Sequence, residues 1–335
     1  MAEGTEPTPV VGATSARLGT HRSSSSASPA KDLYADVTAR VVEMLDQGVV
    51  PWRSPILGRG AAGHPRNLSS GKRYRGINIF LLAFTAFARN YESCYWLTYQ
   101  QAVQRGGHVK KGERSSVVVF WKRFEPKDQQ LDENGKPLKR PGFLLRHYNV
   151  FNAAQCEGIE VPDAPKFMPS EFKPVERAEQ IVNGYPDGPK VIHGGSQTFY
   201  RAKDDEVHLP HPTRFTSTDE YYSARFHELS HSTGHSKRLD RKLDTDPKPF
   251  GTPDYGREEL VAEMAAAFLS AEAGISPAVI LNQAAYISGW LGVLKADKKL
   301  VVTAAGAAQK AADWILNVKP DAQADDRVAT DAAHG

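Results

Sequence analysis

From Leu33 onward, apolar residues at Leu33, Val37, Val41 and Met44/Leu45 recur at helical spacing, and Gly48 and Pro51 stop the pattern. Ile79, Leu82, Phe84 and Phe87 mark a second, buried helix over residues 78–89. Tyr95–Leu97 reads as a short strand, and Thr98 caps a helix that ends at Gly106-Gly107. Residues 117–124 and 143–151 have strand character and flank a polar excursion with Asn134-Gly135 at its tip. After the proline-rich stretch 161–174, a helix is expected over 175–183, then short strands at 191–193 and 199–209, the second a candidate hairpin. Helices dominate from Ser217. Ser217 with Glu220 forms a capping-box start, and Tyr222, Phe226 and Leu229 follow as an apolar stripe at i, i+4, i+7. Leu260, Met264, Phe268 and Ala271 mark a later helix, with Gly274 as its C-cap.

These elements predict an α+β protein: a small mixed α/β domain over 31–160, a linker at 161–174 and a mostly helical domain over 175–318. A Ser-rich leader (1–30) and an Asp- and Ala-rich tail (319–335) lack periodic apolar positions, so both are expected to be disordered. No apolar run approaches the ~20 residues of a membrane span, and no signal-peptide pattern is present. Cys94 and Cys156 provide neither a disulfide framework nor a metal knuckle. A cytoplasmic protein without a membrane partner is the expectation.

The helix opened by Ser217 carries Phe226-His227-Glu228-Leu229-Ser230-His231. Histidines four apart project from one helical face about one turn from each other, so His227 and His231 can both reach one Zn²⁺ ion. Glu228 then sits beside the open position, where it can take a proton from water whose pKa the metal lowers. The alternative is a surface helix with scattered His and Glu. A catalytic zinc needs a third protein ligand. His235 is a poor candidate, because the longer zinc motif requires a histidine at the position of Lys237. Glu259 and Glu263 share a face of the later helix, whereas Glu258 points about 100° away. Glu259 is therefore assigned as third ligand, with Glu258 as the rival, and Glu263 as the group that orients a ligand histidine.

Net charge is only +3, but residues 31–150 hold 20 Lys/Arg against 10 Asp/Glu, leaving 151–335 at −7. Such segregation points to a polyanion partner for the first half. Aromatic residues are interleaved with the basic ones, the pairing that holds single-stranded nucleic acid by phosphate contact and base stacking. Lys72, Arg73, Arg75, Lys110, Lys111, Arg114, Lys122 and Arg123 are candidate phosphate contacts, with Arg53 beside them. Trp52, Tyr74 and Trp121 are candidate stacking platforms. Spacing alone separates single strands from duplex poorly. With no recognition-helix, zinc-finger or ribonucleoprotein motif, sequence-specific reading is not expected.

Several motifs together carry a resemblance. Pro51-Trp52, Pro65-Arg66-Asn67, Tyr74-Arg75-Gly76-Ile77-Asn78, Trp96-Leu97-Thr98-Tyr99, Gly107-His108-Val109-Lys110-Lys111-Gly112-Glu113 and Tyr148-Asn149-Val150-Phe151-Asn152 look like the N-terminal domain of ArdC-type antirestriction proteins, and Gln155-Cys156-Glu157-Gly158 continues the match. His193-Gly194-Gly195, the His227–His231 motif, Gly234-His235, Arg238-Leu239, the 258–263 segment and Gln309-Lys310-Ala311-Ala312-Asp313 resemble that family's zincin-like metallopeptidase domain. The resemblance implies a protein of conjugative plasmids, phages or related mobile elements that binds single-stranded DNA without sequence preference and protects incoming DNA from host restriction. It leaves the protein substrate undefined, a host defence protein being one candidate. Ser230 and Ser232 replace a frequent Gly and aromatic residue, away from the ligand positions. Two functions follow as expectations: a DNA-bound zinc peptidase, or a single-strand-coating protein whose metal is structural or catalytically silent.

Overall fold

A computed structural model describes residues 32–47, 50, 64–124, 142–163, 174–215, 217–247, 249, 252–275 and 283–319. The leader, the 125–141 excursion, most of the linker and the tail lie outside the described residues. Helix α1 (Leu33–Asp46) buries Val37, Val41, Met44 and Leu45, as its spacing requires. Next come β1 (Arg66–Asn67), α2 (Ile77–Ala88), β2 (Tyr95–Leu97), α3 (Tyr99–Gln104), β3 (His108–Val109), β4 (Ser116–Phe124), β5 (Gly142–Asn152) and β6 (Cys156–Glu157). A four-stranded sheet runs β1-β2-β5-β4, antiparallel except for the β1–β2 pair, and β3 pairs antiparallel with β6.

Local chemistry explains several of the family-like motifs. The Asn78 side chain accepts from Val119 N–H at 2.8 Å and donates to Val119 C=O at 2.7 Å, so α2 pairs with the outer edge of β4 as a strand would. Thr98 and Gln101 form a complete capping box at α3. Gly107 passes so close to β6 that an added Cβ would lie 2.3 Å from the Glu157 carbonyl oxygen.

The second half comprises α4 (Pro174–Asn183), β7 (Lys190–His193), β8 (Phe199–Arg201), β9 (Glu206–Leu209), α5 (Thr218–Ser232), α6 (Pro253–Ala273), α7 (Gln283–Ala296) and α8 (Leu300–Ile315). The expected hairpin is β8–β9, and β7 joins the other side of β9 in parallel. Gly274 caps α6 in the left-handed conformation at φ 73°.

One hydrophobic core joins the two halves: Val41, Leu45, Phe80 and Val119 pack in the same cluster as Phe226, Leu260, Met264 and Val301. Phe80 of α2 stacks on Phe268 of α6 with ring centroids 5.0 Å apart. Polar links reinforce this contact. Arg73 pairs with Glu272 at 2.7 Å, Arg75 pairs with Asp313, and Gln309 accepts from the Gly76 N–H at 3.0 Å. Gln309 and Asp313 are one turn apart on α8 and clasp the same 75–76 segment, a structural use for the motif that contains them. Among the described residues, no helix is long and apolar enough to cross a membrane.

Candidate functional site

Helix α5 starts where Ser217 accepts a hydrogen bond from the Glu220 N–H at 3.1 Å, and it carries the histidine pair in its last turns. Its apolar side, with Phe226 and Leu229 almost wholly buried, packs on α6. This packing brings the two Nε2 atoms of His227 and His231 within 3.1 Å of each other, and Glu259 of α6 faces both. Its carboxylate oxygens lie 3.5 Å from His227 Nε2 and 3.4 Å from His231 Nε2. His227, His231 and Glu259 form a group able to hold a metal ion. Tetrahedral ligands about 2.0–2.1 Å from a zinc ion lie about 3.3 Å from one another, so the donor spacing fits such an ion without rearrangement. Glu228 is 7% exposed on the adjacent face of α5.

The outer ring nitrogens are also engaged. His231 Nδ1 lies 3.2 Å from Glu258, whose carboxylate accepts from Arg241 Nε at 2.8 Å and Nη2 at 2.6 Å. Glu263 lies 3.9 Å from His227 Nδ1. Helical-wheel reasoning turned Glu258 away from the site, and this expectation is corrected. The outer nitrogen of His231 points away from the shared centre, toward the face of α6 where Glu258 lies. Arg241, which the sequence did not single out, reaches Glu258 from the loop after α5. Gly234 admits that loop: an added Cβ would lie 2.6 Å from Leu243 Cδ1 and 3.1 Å from Arg241 Nη2. His235 lies apart from the cluster, 3.7 Å from Asp244.

Electrostatics of these side chains follow from this packing. Burial disfavours charge on His231, but the hydrogen bonds its ring N–H groups donate to Glu258 and Glu259 outweigh it and push its pKa up to about 10. His227 is raised in the same way, burial being overcome by Glu259. Despite burial, the two imidazoles hold the Glu259 carboxyl well below the usual carboxylate range, and Arg241 and His231 do the same for Glu258.

Comparison with known proteins agrees with this architecture. Residues 176–307 match the zincin-like metallopeptidase family model, and residues 31–151 match that of the N-terminal domain of anti-restriction factor ArdC. The crystal structure of the antirestriction ArdC protein from the R388 plasmid, metal-free, is similar with a TM-score of 0.67 at 33% identity, covering 87% of this chain and 100% of that one. The chain belongs to the ArdC antirestriction family. The Mn(II)-bound form of the R388 protein is equally similar, with a TM-score of 0.67 at 34% identity, over 86% of this chain and 98% of that one. An uncharacterised protein of Sinorhizobium fredii, y4eC, is 36% identical over 87% of this chain and 94% of its own length. DNA primase TraC of Escherichia coli is 35% identical over 86% of this chain, but the match spans only 20% of that primase.

In this ArdC-family chain the basic candidates divide into distinct groups. Tyr74 is 5% exposed and packs beside Leu82, Trp96 and Phe120, so it is a core residue and not the stacking platform expected. Burial pushes its phenol up to about 12. Arg73 and Arg75, expected on phosphates, are paired with Glu272 and Asp313 across the joint between the halves and keep partial exposure. Lys111 and Arg114 are exposed, Lys72 is half-buried, and Lys110 donates to the Ala154 carbonyl at 3.2 Å. Trp121 is 37% exposed on β4. Trp52 and Arg53 lie outside the described residues, as do the side chains of Lys122 and Arg123.

Proposed function

We propose that this protein is a single-stranded-DNA-binding antirestriction factor whose second half is a metal-dependent peptidase acting on a protein substrate. The observation that carries the peptidase reading is the convergence of His227, His231 and Glu259 to within 3.1–3.5 Å beside the buried Glu228. The three side chains would hold one divalent cation. Zinc suits two imidazoles and a carboxylate, and the R388 relative has an Mn(II)-bound form. When bound, the cation lowers the pKa of a water molecule and polarises the carbonyl that is attacked. Glu228 would act as the general base toward the attacking water and would return the proton to the departing amine. Glu258, fixed by Arg241, holds the His231 ring with Nε2 turned toward His227 and Glu259, and Glu263 lies beside His227 Nδ1.

The raised imidazole pKa values give a pH prediction. Metal binding must displace the proton that Glu258 and Glu259 stabilise on His231, whose pKa is about 10. Apparent affinity should therefore rise with pH between 6 and 9, by about tenfold per unit for each proton released. Calorimetry in buffers of different ionisation enthalpy would count those protons. An affinity independent of pH would show that these imidazoles are not the ligands.

The DNA reading is supported by the +10 charge of residues 31–150 and by family membership. Affinity for single strands should fall steeply with salt, with a log–log slope of about −0.7 per phosphate neutralised. A flat salt response, or preference for duplex, would contradict it. Whether peptidase action or strand coating protects transferred DNA is separable by Glu228→Gln in a restriction-proficient recipient. Loss of protection with retained DNA binding is expected; full protection would assign the effect to coating.

A further inference from the structure

The β4 face that carries Val119 is buried in the core, and Leu145, opposite Trp121 in the β4–β5 register, is buried too. Trp121 continues that face, yet it is 37% exposed. Its neighbour is Tyr34 of α1, at a centroid distance of 5.9 Å and a tilt of 56°, so the rings do not cover each other face to face. Lys299, at the start of α8, places its Nζ 5.6 Å from the Tyr34 ring centroid. The group is held from both sides. α1 packs in the common core, and the Thr38 hydroxyl donates to the Lys298 carbonyl at 2.7 Å, joining α1 to the turn before α8.

We propose that Trp121, Tyr34 and Lys299 form a base-stacking site for single-stranded DNA, built from both halves of the chain. The inference rests on the DNA reading above and names a place for it. A partly exposed indole offers a platform to any base, since every base has a π-face. A neighbouring ammonium held by an aromatic ring supplies a counter-charge for the backbone phosphate beside that base. Duplex DNA keeps its bases paired and stacked, so the site discriminates for single strands without reading sequence. The +10 charge of residues 31–150 favours an anionic partner, and the aromatic pair favours nucleic acid among anions, because bases stack. Because Lys299 belongs to the second half, strand binding here would contact the metal-bearing half of the protein as well as the basic one.

The test is a titration of the full chain with an oligothymidine strand and with a matched abasic strand, which keeps the phosphates and lacks the bases. Oligothymidine should quench indole emission in the wild type. Trp121→Ala should reduce that quenching and weaken oligothymidine binding about five- to hundredfold, the range expected for one stacked base, while leaving abasic-strand affinity unchanged. Trp121→Phe should recover much of the loss, and Lys299→Gln should lower the salt slope by about one phosphate's worth. If Trp121→Ala binds oligothymidine as tightly as the wild type, or loses affinity for both strands equally, the stacking site is wrong while the DNA reading stands. If the wild type binds neither strand, both fail.

Discussion

Glu228→Gln is expected to lower hydrolysis of a protein substrate by about two to four orders of magnitude, the usual contribution of a positioned general base. Glutamine keeps the size and hydrogen-bonding reach of glutamate but cannot accept the proton. Glu228 is 7% exposed on α5 and is not among the three side chains that converge, so metal affinity and thermal stability should change little. This combination separates it from Glu259→Ala, which should lose metal and activity together. The measurement is a protein-substrate screen with metal content determined for each purified variant. Equal turnover by wild type and Glu228→Gln would remove Glu228 from the chemistry. Loss of metal in Glu228→Gln would make it a ligand.

The largest stability effect is expected at Arg238, which does not touch the metal centre. Its side chain has no solvent exposure and is paired with Asp205. It also donates from Nε to the Ser232 carbonyl at 2.7 Å and from Nη1 to the Asp187 carbonyl at 2.7 Å. Tyr200 donates to the same Asp205 at 2.8 Å. Arg238 thus ties the end of α5, one residue past His231, to the β8–β9 turn. Removing one partner of a buried pair costs about 3–5 kcal/mol, because the other is left uncompensated. Asp205 keeps Tyr200 and some solvent access, so Arg238→Met should sit near 3 kcal/mol, the lower end of that range. At about 2.1 cal/mol/K of unfolding entropy per residue, that lowers Tm by roughly 4–5 °C in a chain of this size. Adding Asp205→Asn should recover part of the loss. Although burial opposes it, Arg238 and Tyr200 keep the Asp205 carboxyl below its ordinary value. The contribution is therefore present above about pH 4 and fades as pH falls further, so the gap between wild type and variant should close in acid. A loss under about 1 kcal/mol near neutral pH would contradict this role.

The elements easiest to read from the sequence were those whose signals are local. Ser217 announced α5, Gly274 ended α6, and the stripe of Leu260, Met264 and Phe268 predicted the face that α6 buries. Two-residue strands such as Arg66–Asn67 and Cys156–Glu157 are too short to show a period, and they went unread. Spacing along α5 was enough to nominate His227 and His231, one turn apart, and spacing along α6 to nominate Glu259 with Glu263, also one turn apart; that the two helices meet there was not encoded by either period. Arg241 and the inward reach of Glu258 depend on how a loop folds back against α6, and no periodicity encodes that. The same limit affected the basic residues. Arg75 and Asp313 are 238 positions apart in sequence, so nothing near Arg75 signals that its charge is already matched. Tyr74 shares its basic neighbourhood with exposed residues, and only the packing of α2 and β4 around it explains its burial.

The central claim is that one ion sits between α5 and α6. The direct measurement is diffraction at the zinc absorption edge from crystals of the zinc-loaded full chain. The expected result is a single anomalous peak about 2.0–2.2 Å from His227 Nε2, His231 Nε2 and a Glu259 oxygen. A peak away from those three atoms, or zinc held by Glu258 in place of Glu259, would contradict it.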